Sequence, residues 1–226
     1  MGLKSAASSF KLVNQLKALK GTLALVYLPW IWILLVAGLQ NNVPVKYLMR
    51  DPVGVAHQPF YYGVFSQIGV LIWCTCAAIC FFCAALLRKT KKHQIVWFWI
   101  AWGALTLALL VDDLLLIHEV VLPQYLGLSG ETVYFVYLSL IVFYLIKFYK
   151  IIINTDYIFL LLAFLFFGVS ILVDQVVDYQ SNSIYLELQE RKSIHLLEDG
   201  SKLLGIVSWC TYFSRVCFTT VKQLIG

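Results

Sequence analysis

Two adjacent carboxylates, Asp112 and Asp113, are followed by His118 and Glu119 inside an otherwise apolar run. Carboxylates in that pattern can hold a hard or borderline cation, carry a proton, or serve as acid and base, and a nearby histidine extends each option. Two further groups match them in type. Asp174 and Asp178 form an i, i+4 pair, and His195, Glu198, Asp199 and Lys202 fall within one helical stretch. Ionisable groups within a bilayer are costly and mark functional sites by default, so these residues are the candidates for chemistry.

The elements that must position them are membrane helices. Of 226 residues, 61% are hydrophobic and only 13% are charged, with a mean hydropathy of +0.83. A soluble domain carries about 25% charged residues, so the composition reads as a polytopic membrane protein with no separate soluble domain. The expected fold is an all-α bundle of six transmembrane helices spanning approximately 22–39, 61–87, 95–121, 132–150, 157–177 and 195–221. Residues 1–20 form a basic segment in which Phe10, Val13, Leu16 and Leu19 recur at helical spacing, and 21–226 form one membrane domain. That basic leader and the first apolar run do not read as a cleavable signal. Residues 41–60, 122–131 and 154–156 read as connections. The polar stretch 180–193, with Ile184, Leu186 and Leu188, reads as an interfacial segment.

Charge sorts the two sides. Lys4, Lys11, Lys17, Lys20, Arg88, Lys89, Lys91, Lys92, Lys147, Lys150, Arg215 and Lys222 fall on the side of the termini, 12 of the 17 basic residues. The positive-inside rule therefore puts both termini in the cytoplasm, in what reads as a bacterial inner membrane. The basic residues lie between spans, so their excess orients the chain and does not indicate nucleic acid.

Depth follows from the helical rise. Asp112 lies about 26 Å along span three and Asp174 about 26 Å along span five, and Glu198 and Asp199 enter span six near the outer edge. Asp112 and Glu119, one heptad apart, project within about 20° of each other on an ideal helix, with Asp113 to one side and His118 to the other. The expectation is an outward-facing acidic recess between spans three, five and six. Asp112, Glu119, Asp174, Glu198, Asp199, His118 and His195 are its candidate metal ligands, and Asp113, Asp178 and Lys202 its proton or charge partners.

Three functions fit such a recess. The leading one is a non-catalytic membrane subunit, sensor or anchor of a larger assembly. The second is a metal-dependent enzyme using a divalent cation on a lipid or headgroup-type substrate at the outer leaflet. The third is a proton or cation channel or transporter, disfavoured because carrier sites tend to lie at the midplane. Partners to expect are the bilayer and either a second copy of the chain or another membrane or cytoplasmic protein. Cys74, Cys76, Cys80, Cys83, Cys210 and Cys217 all lie within spans, which suits packing and not a disulfide framework. Asp199-Gly200 and Asp174-x-x-x-Asp178 resemble fragments of the membrane alcohol phosphotransferase signature. Their order is reversed and the Ala-Arg is missing, so that family is excluded.

Overall fold

The computed structural model describes residues 17, 20, 21, 24, 27, 28, 31, 32, 35, 36, 38–40, 42, 43, 52–59, 61–88, 93–128, 130–181 and 188–225. Side chains are described at these positions except 54, 55, 130, 131, 175–181, 188–195, 224 and 225. The chain divides into two units, Met1–Tyr62 and Gly63–Gly226. In the first, every described residue from 17 to 39 is helical, and α1 (Pro52–Val55) is a single turn within the expected loop. Phe10, Val13, Leu16 and Leu19 lie outside the described residues.

The second unit contains α2 (Val64–Leu87), α3 (His93–Leu115), a π-helical turn π1 (Ile117–Val121), α4 (Leu122–Leu126), α5 (Gly130–Lys147), α6 (Tyr149–Ile152), α7 (Ile158–Ser181) and α8 (Leu188–Ile225). Among the described residues the protein is all-α and 87% helical, with no strand. Among the described residues, two helices, α2 of 24 residues and α3 of 23, meet the length and composition needed to cross a membrane.

Four boundaries differ from the sequence expectation. The third apolar run does not stay α-helical to Val121 but breaks after Leu115. Residues 122–126, expected as part of a turn, form α4, because Pro123 suits a first helical turn and Gly127 ends it in the left-handed region at φ 64°. The fourth run divides at Phe148 into α5 and α6. The last helix starts at Leu188 and not at His195, since Leu188 to Lys192 are all good helix formers with no Pro or Gly among them.

Packing fixes the helix directions. Gly69 faces Ile206, Trp73 meets Trp209, Cys76 meets Cys210 and Cys83 meets Cys217, so α2 and α8 run parallel with a heptad register. Gly69 also faces Asp113 and Gly103 faces Cys80, so α3 runs the other way. Tyr144 packs on Trp102 and Phe148 on Phe98, which makes α5 antiparallel to α3. Phe167 and Phe164 both meet Trp209, with α7 antiparallel to α8. Directions therefore alternate along the chain through all five long helices.

The centre is an aromatic block. Phe98, Trp99, Trp102, Phe148, Trp209, Tyr212 and Phe213 are fully buried, with neighbouring centroids 4.9–6.3 Å apart in edge or tilted geometry. Such pairs each add about 0.5–1.5 kcal/mol beyond burial. Cys76, Cys80 and Cys83 are completely buried beneath it as small apolar groups, and all six thiols are free. On the Lys147 side, Arg215 holds Asp156 at 2.6 Å and Tyr212 reaches Thr155 at 3.0 Å, which ties the 154–156 connection to α8.

Close approach of α7 and α8 depends on Gly205, where an added Cβ would lie 2.6 Å from the Phe167 ring. Gly205→Ala is expected to cost about 1–3 kcal/mol from overpacking, partly offset by better helix propensity. A fall in melting temperature in detergent checks this, and no change would show that the ring swings away freely.

Candidate functional site

The site is organised by the break in the third apolar run. Leu116 adopts φ 50° and ψ 43°, one of only two positive-φ non-glycine residues among those described. A left-handed Leu costs about 1–2 kcal/mol, so the surrounding structure must hold it there. After it, the Val121 amide bonds back five residues to the Leu116 carbonyl at 3.2 Å, closing a π-turn. Such turns concentrate at functional sites.

This turn folds His118 back onto Asp112. On an uninterrupted α-helix, residues six apart point to different faces. Here Asp112 Oδ1 accepts the His118 backbone N–H at 3.0 Å, and Oδ2 accepts Nδ1–H at 2.7 Å. Both carboxylate oxygens are thus bonded to one residue, which fixes the ring and its tautomer. Nε2 is left pointing away from Asp112, 3.5 Å from Glu119 Oε1, and the ring packs 5.1 Å from that of Tyr134. Asp112 and His118 are both buried.

The next residue pairs across helices. Lys202 Nζ on α8 donates to Asp113 Oδ1 at 2.5 Å. The Asp113 side chain is 8% exposed and that of Lys202 37%, so this is a partly buried ion pair in which the lysine reaches in from the wetter side.

These groups form one end of a cavity of about 730 Å³ bounded by α2, α3, π1, α5, α7 and α8. Asp112, Asp113, His118, Glu119, Asp174, Glu198, Asp199 and Lys202 all line it. The opposite end is aromatic and aliphatic, with Trp73, Ile141, Leu145, Phe164, Phe167 and Trp209. From Asp174 to Phe164 on α7, and from Tyr134 to Leu145 on α5, the wall changes from polar to apolar over about 15 Å of helical rise. The side chains of His195 and Asp178 lie outside the described residues.

As a metal centre the arrangement is weak. Among the described residues no group of three or more His, Cys, Asp or Glu is gathered closely enough to hold a metal ion. Two neighbouring carboxylates are already bonded, Asp112 to the His118 it positions and Asp113 to Lys202.

A family model described as Domain of unknown function (DUF8692) matches residues 22–216, a segment that contains every residue of the site. The chain belongs to that family. No curated protein and no solved structure matches it.

For this member of the family, the wall includes residues that charge-based reading passes over. Tyr134, Tyr137 and Ser170 line the cavity, and none has a hydrogen-bond partner among the described residues. Span four carries no acid and so attracts no attention as a site wall. Its signal is a stripe, Tyr134, Tyr137, Leu138, Ile141, Val142 and Leu145, at i, i+3/i+4 spacing with the hydroxyls at one end.

Removing the Asp112 carboxylate tests the dyad. Asp112→Ala leaves the His118 amide and Nδ1 without acceptors in a buried site and is expected to cost about 2–4 kcal/mol. Asp112→Asn should lose less, because its amide oxygen can still accept one of those bonds. The two melting curves check this, and equal losses would show that the hydrogen bonds are not what matters.

Proposed function

We propose that the protein is a six-span inner-membrane protein with cytoplasmic termini, and that it works as a non-catalytic subunit, sensor or anchor whose outward-facing recess binds an amphipathic small molecule. The observation that carries this reading is the two-ended cavity, with ionisable groups and hydroxyls at one end and aromatic rings at the other. Binding sites of this kind are concave, mostly apolar and oriented by a few convergent polar groups. The membrane placement is supported by the two long apolar helices and by the alternating helix directions. It is further supported by the apolar side chains exposed on α2, α5 and α7, among them Leu71, Phe82, Phe135, Ile146, Leu161 and Leu172.

Reporter fusions at residues 90, 128, 155 and 185 test the topology. Cytoplasmic signal at 90 and 155 with external signal at 128 and 185 is expected, and external signal at 90 would overturn it. Saturable binding of an alkyl-chain amphiphile, followed through the fluorescence of Trp73 and Trp209, tests the recess.

One observation favours a second reading as an enzyme acting on a lipid or headgroup-type substrate. Asp112 orients His118 so that Nε2 faces the cavity, the arrangement a general base requires. Release of a water-soluble product from membrane lipid, lost in His118→Gln, would establish it. Conduction is the least supported reading, because the fully buried aromatic block lies beneath the apolar end of the recess.

A further inference from the structure

We infer that the head of the recess selects a protonated amine, so that the ligand is an amphiphile with a primary ammonium group on an apolar body. This rests on the recess being the binding site proposed above, and three observations carry it further.

First, both cationic side chains of the described wall are engaged. Lys202 is held by Asp113 at 2.5 Å and His118 by Asp112 at 2.7 Å, so neither offers an open charge to a phosphate or carboxylate head. An anionic head would have to displace one of these pairs and then sit beside Glu119 and Asp199.

Second, the wall offers acceptors. Glu119 is half-exposed, with Oε1 beside His118 Nε2, and Asp199 lines the same end from α8. The carboxylates of Glu119 and Asp199 are both acceptors at this end, and an ammonium supplies three donors to meet them.

Third, Ser170 is about nine-tenths buried, lines the cavity and makes no hydrogen bond among the described residues. Thr75, Thr106, Ser139, Ser208 and Thr211 all donate to the carbonyl one turn back, the usual resting bond of a helical hydroxyl. Ser170 has no such bond and sits where the polar end meets the aromatic end. With Tyr137 it can bond the first polar atoms behind the ammonium while the chain lies on Phe164 and Trp209.

Two sources share this chemistry, an aminophospholipid of the bilayer and a soluble long-chain amine. The full chain in phosphatidylcholine nanodiscs is titrated with dodecylamine and with dodecanol, following tryptophan fluorescence. Dodecylamine should saturate at a concentration at least about tenfold below dodecanol, and Glu119→Gln with Asp199→Asn should erase most of that gap. Ser170→Ala, which leaves every carboxylate in place, should leave dodecylamine unchanged, since that probe has no polar atom behind its nitrogen, and should weaken sphingosine, whose hydroxyls follow its amine, by a modest factor. Equal binding of amine and alcohol would overturn the amine inference and leave the recess standing. No saturable binding of either would overturn both. Native mass spectrometry of protein extracted from mixed lipid separates the sources. Retention of phosphatidylethanolamine over phosphatidylcholine and phosphatidylglycerol identifies the bilayer lipid, dodecylamine binding without it identifies a soluble amine, and preferential retention of phosphatidylglycerol would contradict the charge argument.

Discussion

Trp209→Ala is expected to destabilise the protein by about 3–5 kcal/mol, the usual cost of emptying a fully buried aromatic site. Trp209 is completely buried, touches the rings of Trp73, Trp102, Phe164, Phe167 and Phe213, and donates from Nε1 to Thr106 Oγ1 at 3.1 Å. Truncation would remove the link between α2, α3, α7 and α8 at one point and open the apolar end of the recess into the core. Trp209→Phe should recover most of the ring packing but not the hydrogen bond, leaving a deficit of about 1 kcal/mol. Denaturant titration in detergent micelles separates the two. A small loss for the alanine variant would mean that the block can collapse around the gap.

Lys202→Met is the second large effect. It leaves the Asp113 carboxylate, only 8% exposed, without its cation. Breaking a buried pair from one side costs about 3–5 kcal/mol, and the lower end applies because Lys202 is itself a third exposed. Adding Asp113→Asn to that variant should restore most of the stability, since the penalty comes from the stranded charge and not from lost attraction. A double variant no more stable than Lys202→Met would show that the pair does not hold α3 to α8.

How much of this could be read from the sequence divides along physical lines. The long apolar runs of α2 and α3 were legible because continuous hydrophobicity needs no tertiary information. Asp112, Asp174, Glu198 and Asp199 were expected at one depth because the helical rise is nearly constant, and all four line one cavity. The Asp112–His118 bond was not. Helical projection put His118 to the side of Asp112, and only the left-handed Leu116 and the π-turn reverse this. Leucine carries no signal for that conformation, which the tertiary structure imposes. The extension of α8 back to Leu188 was hidden for a different reason, since its polar composition resembles an interfacial loop when no packing partner is known. The hydroxyls of Tyr134, Tyr137 and Ser170 were visible as residues, but nothing in their spacing says that they lack partners.

The turn at Ile117–Val121 also makes the site a matter of arithmetic. A helix that bonds back five residues instead of four holds one residue more than the regular ladder needs. Deleting a single residue from Leu114 to Leu116 would let an ordinary helix run through to Val121 and restore good geometry at every backbone position. It would also rotate His118 off Asp112 and carry Glu119 round with it, with every side chain of the recess still encoded. The distance between a wired recess and a plain apolar helix is therefore one codon, and a comparison of family members by length across this segment would sort them before any comparison by residue type.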